Sequence, residues 1–313
     1  MAKFSTRVVR SLLNRAGFDL LRLQKTVVHG MNSDKGKLLD ARMDIDDRYE
    51  LRPVPSFDIV LRTCLRGDIG AVGARRCFEL PKRELVRGCL ASLIASANAA
   101  NLNCPDTDIT LTILDNLSSD EGLSIIKAEL AKAKFSTELG SPGLEFLNNG
   151  ESMRQNYGYG RKHGRDVIYF VEDDYLHDRS AITEIIRAYS KLSGAYGKDV
   201  VLFPADNPEE YRHVNPSQIL LGSERHWRRS WMTTFTCVTT KAIMDTHWGK
   251  YNGLGEYGVN PNVSEHNTIN LIYREVPCLT PIPSLAVHMQ MFEHIPPYVD
   301  WRNWWSENSD FAI

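Results

Sequence analysis

Residues 167–171 read VIYFV, an unbroken apolar and aromatic run that leads straight into Glu172, Asp173 and Asp174. A run this short, rich in β-branched and aromatic side chains and lacking polar alternates, is a strand covered on both faces. Strands of that kind belong to mostly parallel sheets sandwiched between helices, which restricts the chain to an α/β architecture. The same run ends in three consecutive carboxylates. Buried negative charge is costly unless it is paired, so the strand end needs a neutralising partner.

The surrounding sequence keeps an α/β rhythm. FDIVLRTC reads as a strand, and PKRELVRGCLASLIASANAA as a helix with Pro81 near its start and Leu85, Cys89, Leu93 and Ile94 at core spacing. DITLTILDN is a β-branched strand. SSDEGLSIIKAELAKA is a helix, with Ser118 or Ser119 as N-cap and acids in its first turn. LEFLNN reads as a short strand and SMRQNYGYGRKH as a helix carrying two glycines. RSAITEIIRAYSKL is a helix with Ile182, Ile185, Ile186, Tyr189 and Leu192 on one face. In open sheets of this kind, ligands bind outside the carboxyl ends of the strands. Thr63, Asp115 and the 172–174 carboxylates all sit at such ends, so one crevice is expected to gather them.

The bulk numbers exclude several classes. The 313 residues allow one large domain with appendages or two small ones, and 42% hydrophobic with 24% charged residues is ordinary for a globular chain. A net charge of -2 argues against broad nucleic-acid binding. Six cysteines without a CxxC pair fit a reduced, cytoplasmic setting rather than a disulfide framework or a zinc site. No apolar run approaches a membrane span of ~20 residues, and no secretory signal is evident.

Three segments organise the chain: residues 1–56, 57–293 and 294–313. The first 25 residues carry six bases and one acid, with Phe4, Val8, Val9, Leu12, Leu13 and Ala16 opposite Lys3, Arg7, Arg10 and Asn14 on a helical wheel. Such an amphipathic helix either lies on an anionic membrane surface, making the protein peripheral on the cytoplasmic face, or packs on its own domain. Residues 30–56 read as a charged linker. In the last segment Trp301, Trp304 and Trp305 share one helical face, suited to docking or to a glycan or membrane interface.

Along an extended chain Glu172 and Asp174 share a face. Two oxygen donors there suit a hard divalent cation, Mn2+ or Mg2+, that keeps several waters and bridges phosphates. The bland alternative is a solvated acidic loop with Asp178 capping the next helix.

FDIVLRTCLR, ITLTILDNLSSDEG, LNNGESMRQNYGYGRKHGRDVIYFVEDDYL and PIPSLAVH follow one another in an order that resembles the GT-A glycosyltransferases, especially family two. The resemblance covers roughly residues 57–290. It implies a GT-A, Rossmann-like fold: a mostly parallel sheet flanked by helices. It further implies inverting transfer of a sugar from a nucleotide-diphosphate donor to a glycan or lipid-linked acceptor. By position, Thr63 and Asp115 would meet the nucleoside, with Arg154 and Asn156 beside the nucleotide. Glu172, Asp173 and Asp174 replace Asp-x-Asp, with Asp174 as the main metal ligand and His288, or nearby His294, completing the metal site. Leu117 stands where the family has Gly, and Asn116 where it has Asp. GEYGVNPNVSEHNTINLIY resembles the loop and helix that carry the base, which makes Glu265 the candidate, with Glu256 and Asp206 in reserve. The competing readings are a sugar-nucleotide nucleotidyltransferase, for which the glycines and arginines of residues 63–76 are in the wrong order, and a non-catalytic sugar-binding protein of the same fold.

Overall fold

The structure is a computed structural model. It describes residues 50–66, 81–141, 148–212, 217–290 and 292–309, all within the unit Glu50–Ile313. The amphipathic segment 1–25, most of the linker and the glycine-rich residues 67–76 lie outside the described residues.

Strands β1 (Ser56–Thr63), β2 (Asp108–Asp115), β3 (Ser136–Gly140) and β4 (Val167–Glu172) pair in parallel in the order β3-β2-β1-β4. The sheet continues through β9 (Cys237–Thr240), β6 (Val201–Leu202), β10 (Cys278–Ile282), β8 (His226–Ser230) and β7 (Ile219–Leu221). β9 is antiparallel to β4 and to β6, so it reverses the direction at the sheet's centre. A two-stranded ribbon joins β5 (Tyr175–His177) to β11 (Ala286–His288). The α/β fold expected from the sequence is present: a mixed, mostly parallel sheet flanked by helices.

The connecting helices are α1 (Lys82–Asn103), α2 (Asp120–Leu130), α3 (Asn149–His163) and α4 (Ala181–Tyr196). Crossovers β1-α1-β2 and β2-α2-β3 move one way across the sheet, and β3-α3-β4 moves back. Right-handed crossovers therefore put α1 and α2 on one face and α3 on the other. α1 packs against α2 and α4, and Ser96 on α1 accepts the Ile182 N–H at 3.0 Å. By length and composition α1 could cross a bilayer, unlike the expectation from the apolar runs, but most of it is buried in the protein core. α3 packs with α5 (Lys241–Thr246) and α6 (Trp248–Gly253). Tyr157 on α3 meets Phe170, Phe235 and Tyr251 at ring separations of 4.7, 4.8 and 5.0 Å. Gly160 lets α3 lie close to β4: a side chain there would run into the Phe170 ring.

Two local expectations change. The third strand is Ser136–Gly140; the segment LEFLNN falls mostly outside the described residues, and its last two residues cap and open α3. Asn148 accepts the Glu151 N–H at 3.0 Å, which is why the helix starts there. The described end of the linker is packed on the domain: Arg52 pairs with Asp166 at 2.7 Å and Asp199 at 2.9 Å, and Val54 is buried.

The tail docks through α7 (Trp301–Asn308), whose buried Trp301 and Trp305 join Leu85, Cys89, Leu176, Val287 and Met289. Trp305 lies over Gly88, where a Cβ would strike its ring. Trp305→Leu should cost about 2 kcal/mol of unfolding free energy, from lost burial and the cavity left behind. Urea denaturation checks it. An unchanged midpoint would mean that the tail is not part of the core.

Candidate active site

The carboxyl ends of β1, β2 and β4 open onto a crevice of about 620 Å³. Thr63, Glu172, Asp173, Asp174, Glu265, His288 and His294 all line it, so residues far apart in sequence converge as the strand-end rule requires.

The acidic run finds three separate partners. The parallel register sets Arg62 beside Glu172, and the two form an ion pair. Burial acts to lower the Arg62 pKa, but the charge and hydrogen bond of Glu172, together with the charges of Asp173 and Asp174, outweigh it and raise it. Asp173 accepts the Cys64 N–H at 3.1 Å and faces Lys82 at 3.6 Å. Burial still raises the Asp173 carboxyl above the ordinary range, with Lys82 pulling the other way. Asp174 meets His288 Nε2 at 3.1 Å. Burial opposes ionisation of both groups. The opposite charges and their hydrogen bond prevail, so Asp174 lies below the usual carboxylate range and His288 rises to about 9.

The chain turns at Asp173–Asp174 before β5 starts. Glu172 and Asp174 therefore do not lie on one continuous strand face, contrary to the alternation argument: Glu172 turns to Arg62 and Asp174 to the β5–β11 ribbon. With His288 neutral, its imidazole and the ionised Asp174 would fit a divalent ion. Two ligands ~2.1 Å from a cation and at right angles to each other stand ~3.0 Å apart. Among the described residues no group of three or more His, Cys, Asp or Glu forms a cage, so such an ion would take its other ligands from water or substrate oxygens. His294 stacks on His288, with its Nδ1 3.3 Å from His288 Nδ1.

The other predicted residues stand one step back. Asp115 is buried and accepts from Thr63 Oγ1 and from the Ser118 N–H, each at 2.9 Å. It shapes the rim, while Thr63 and Asn116 line the crevice. The turn it clamps holds Leu117 at φ 62°, the left-handed region, where the resembled family has Gly. A leucine there costs ~1–2 kcal/mol, and the bonds from Asp115 hold it in place. On α3, Asn149, Ser152 and Met153 line the crevice. Asn156 continues the same face one turn deeper, fully buried and bonded to the Ser152 carbonyl at 2.8 Å. Arg154 points off that face and pairs with Glu151. The structure brings neither Arg154 nor Asn156 into the crevice lining.

Three acids compete for the role of base. Asp206 is buried in an ion pair with Arg228 at 2.7 Å. Glu256 is exposed and accepts from Asn260 at 2.8 Å. Neither lines the crevice, whereas Glu265 does. Glu265 opens a three-residue 3-10 turn closed by a Ser264–Asn267 capping box, not the α-helix expected from the sequence. A turn this short supplies little of a helix dipole. Burial, reinforced by Glu172, raises the Glu265 carboxyl above its ordinary value.

Sequence reasoning missed Arg62, Lys82 and Tyr257 in the lining. Lys82 carried a signal: a cation in the first turn of a helix opposes the macrodipole and calls for a partner elsewhere. That partner is Asp173, whose charge raises the Lys82 pKa.

No family model matches the chain, and no curated protein matches it. Solved structures do. S. aureus TarS is 12% identical over 61% of this chain and 29% of its own, with a TM-score of 0.38. The chain thus spans less than a third of that TarS structure, and 48% of the TarS 1–349 structure. A UDP-glucose pyrophosphorylase complexed with UDP-glucose is 11% identical over 77% of this chain and 95% of its own, at a TM-score of 0.39. The galactosyltransferase LgtC, in complex with donor and acceptor sugar analogs, is 11% identical over 70% of each chain, at 0.33.

Proposed function

We propose that this chain is a metal-dependent glycosyltransferase that moves a sugar from a nucleotide-diphosphate donor to a hydroxyl acceptor with inversion. One observation carries the reading: the Asp174–His288 pair and the raised carboxyl of Glu265 open onto one crevice at the ends of parallel strands. The order of sequence landmarks that resembles GT-A enzymes supports it independently.

Asp174 and His288 would hold the divalent cation, which when bound neutralises diphosphate charge as a Lewis acid. The chain's own residues do the rest. Thr63 and Asn116 stand where a nucleoside would enter, and Asn116 presents a buried amide oxygen with no hydrogen-bond partner among the described residues, suited to a base or ribose donor. Lys82 and Arg62 supply positive charge beside the diphosphate. Glu265 accepts the proton of the acceptor hydroxyl as that oxygen bonds to the anomeric carbon. The bond from that carbon to the diphosphate oxygen breaks, and its electron pair leaves with the nucleotide.

A melting experiment tests the donor half. Nucleoside diphosphates at about 100 times their dissociation constant should stabilise the protein by about 2.7 kcal/mol in the presence of Mn2+, and much less with a chelator. Absence of any shift across the common bases would sink the nucleotide reading.

A further inference from the structure

His288 has two ring nitrogens, and the fold gives each of them a different partner. Antiparallel pairing of β11 with β5 sets His288 opposite Tyr175, and the Met289 N–H donates to the Asp174 carbonyl at 2.8 Å, which closes the ribbon there. Nε2 of His288 faces Asp174 Oδ2 at 3.1 Å. Nδ1 faces His294 Nδ1 at 3.3 Å. The two imidazole planes are inclined by 29° with centroids 5.5 Å apart, so the rings meet along their Nδ1 edges rather than over their full faces.

Neither ring is free to turn away. The buried Tyr175 ring packs 5.0 Å from that of His288, and its hydroxyl lies 3.0 Å from the Thr234 hydroxyl in the crevice lining. His294 ends the 3-10 turn Phe292–His294, which the Ile295 N–H closes onto the Phe292 carbonyl at 3.2 Å. That turn packs against the turn Pro208–Tyr211.

Two nitrogens that face each other in this way share one proton. If both carried one, the hydrogens would collide; if neither did, the lone pairs would repel. One Nδ1 therefore donates and the other accepts. A histidine that holds a metal obeys a related rule. The nitrogen on the cation carries no proton, so the proton of the neutral ring sits on the other nitrogen, and an acceptor there sets the tautomer. In neutral His288 two acceptors compete for that single proton. Asp174 draws it to Nε2, which closes the ring to a cation. His294 draws it to Nδ1, which leaves the Nε2 lone pair open. An ionised carboxylate is the stronger acceptor, so without His294 the neutral ring would rest in the tautomer that cannot hold a metal.

We propose that His294 is a positioning residue for the metal site: its Nδ1 accepts the Nδ1–H of His288 and fixes the His288 tautomer with Nε2 open to the cation. This rests on the reading of Asp174 and His288 as metal ligands and adds the residue that orients one of them. The Nδ1 of His294 is engaged by His288, so His294 supports a ligand rather than adding a third.

The test uses the full-length protein labelled with 15N-histidine, and Mn2+ as the metal probe, alone and with each common nucleoside diphosphate. The metal-free wild type should show a scalar coupling between the Nδ1 atoms of His288 and His294, carried through the N–H···N bond. His294→Phe keeps a ring and its packing but removes the acceptor. Its Mn2+ affinity, read from the electron paramagnetic resonance of the free ion, should fall by about tenfold. His294→Asn puts an amide oxygen near the place of Nδ1 and should stay close to wild type. A role in packing alone would reverse that order, with the phenylalanine variant closer to wild type, and would overturn the proposal. Equal loss in both variants would make His294 itself a ligand and overturn it as well. Absence of the nitrogen–nitrogen coupling in the folded wild type overturns it whatever the variants do, including a variant that fails to fold. If the wild type and His294→Phe bind Mn2+ equally, the proposal fails and the metal site stands. If the wild type binds no Mn2+ under any of these conditions, the metal reading itself falls and the role of His294 falls with it.

Discussion

Asp174→Asn is expected to leave a folded protein that has lost Mn2+-dependent binding of nucleoside diphosphates and transfers sugar about 10²–10³ times more slowly, a loss of about 3–4 kcal/mol of transition-state stabilisation. The substitution keeps the shape of the side chain and removes its charge. Asp174 is buried and held below the ordinary carboxylate range by His288 and the nearby cations, so it is the carboxylate in the crevice best kept ionised for a cation. His288 offers a second, independent readout. Its pKa is raised to about 9 against burial by the Asp174 charge. In the asparagine variant that support is gone, and the imidazole should titrate lower in an NMR pH series. Near-normal metal-dependent transfer by the variant would remove Asp174 from the metal site whatever His288 does.

Glu265→Gln should lower turnover by about 10²–10⁴, the usual worth of a positioned general base, while donor and metal affinity stay close to wild type. Glutamine fills the same space and cannot take a proton. The pH profile makes the assignment specific. A carboxylate base works only when deprotonated, and burial raises the Glu265 carboxyl. Activity should therefore fall as pH drops through that raised value, at a higher pH than an exposed glutamate would set. The residual activity of Glu265→Gln should lack this acid limb. Transfer that survives Glu265→Gln but not Asp206→Asn would contradict the geometry, since Asp206 is buried in its pair with Arg228 away from the crevice lining.

The α/β class, the strands through residues 63, 115 and 172, and the position of the crevice at their ends were all legible in the sequence. Each depends on local pattern: β-branched runs buried on both faces, helices at 3.6-residue spacing between them, and polar residues where the apolar runs stop. Asp174 could be nominated on the same ground, whereas His288 and Glu265 were nominated by the resemblance to GT-A enzymes. None of their partners could be. Arg62 meets Glu172 because β1 and β4 pair in a register no local pattern sets, and His288 meets Asp174 because β11 pairs with β5 across more than a hundred residues. The turn after Glu172, which separates two carboxylates that alternation would align, is likewise made by that ribbon. Arg154 and Asn156 lay close to the crevice in sequence, but the direction in which α3 runs decides that one pairs outward with Glu151 and the other sits a turn too deep. Residue type and spacing determined which chemistry the chain carries. Strand register and helix direction, which depend on the packing of the whole sheet, decided which of those groups face one another.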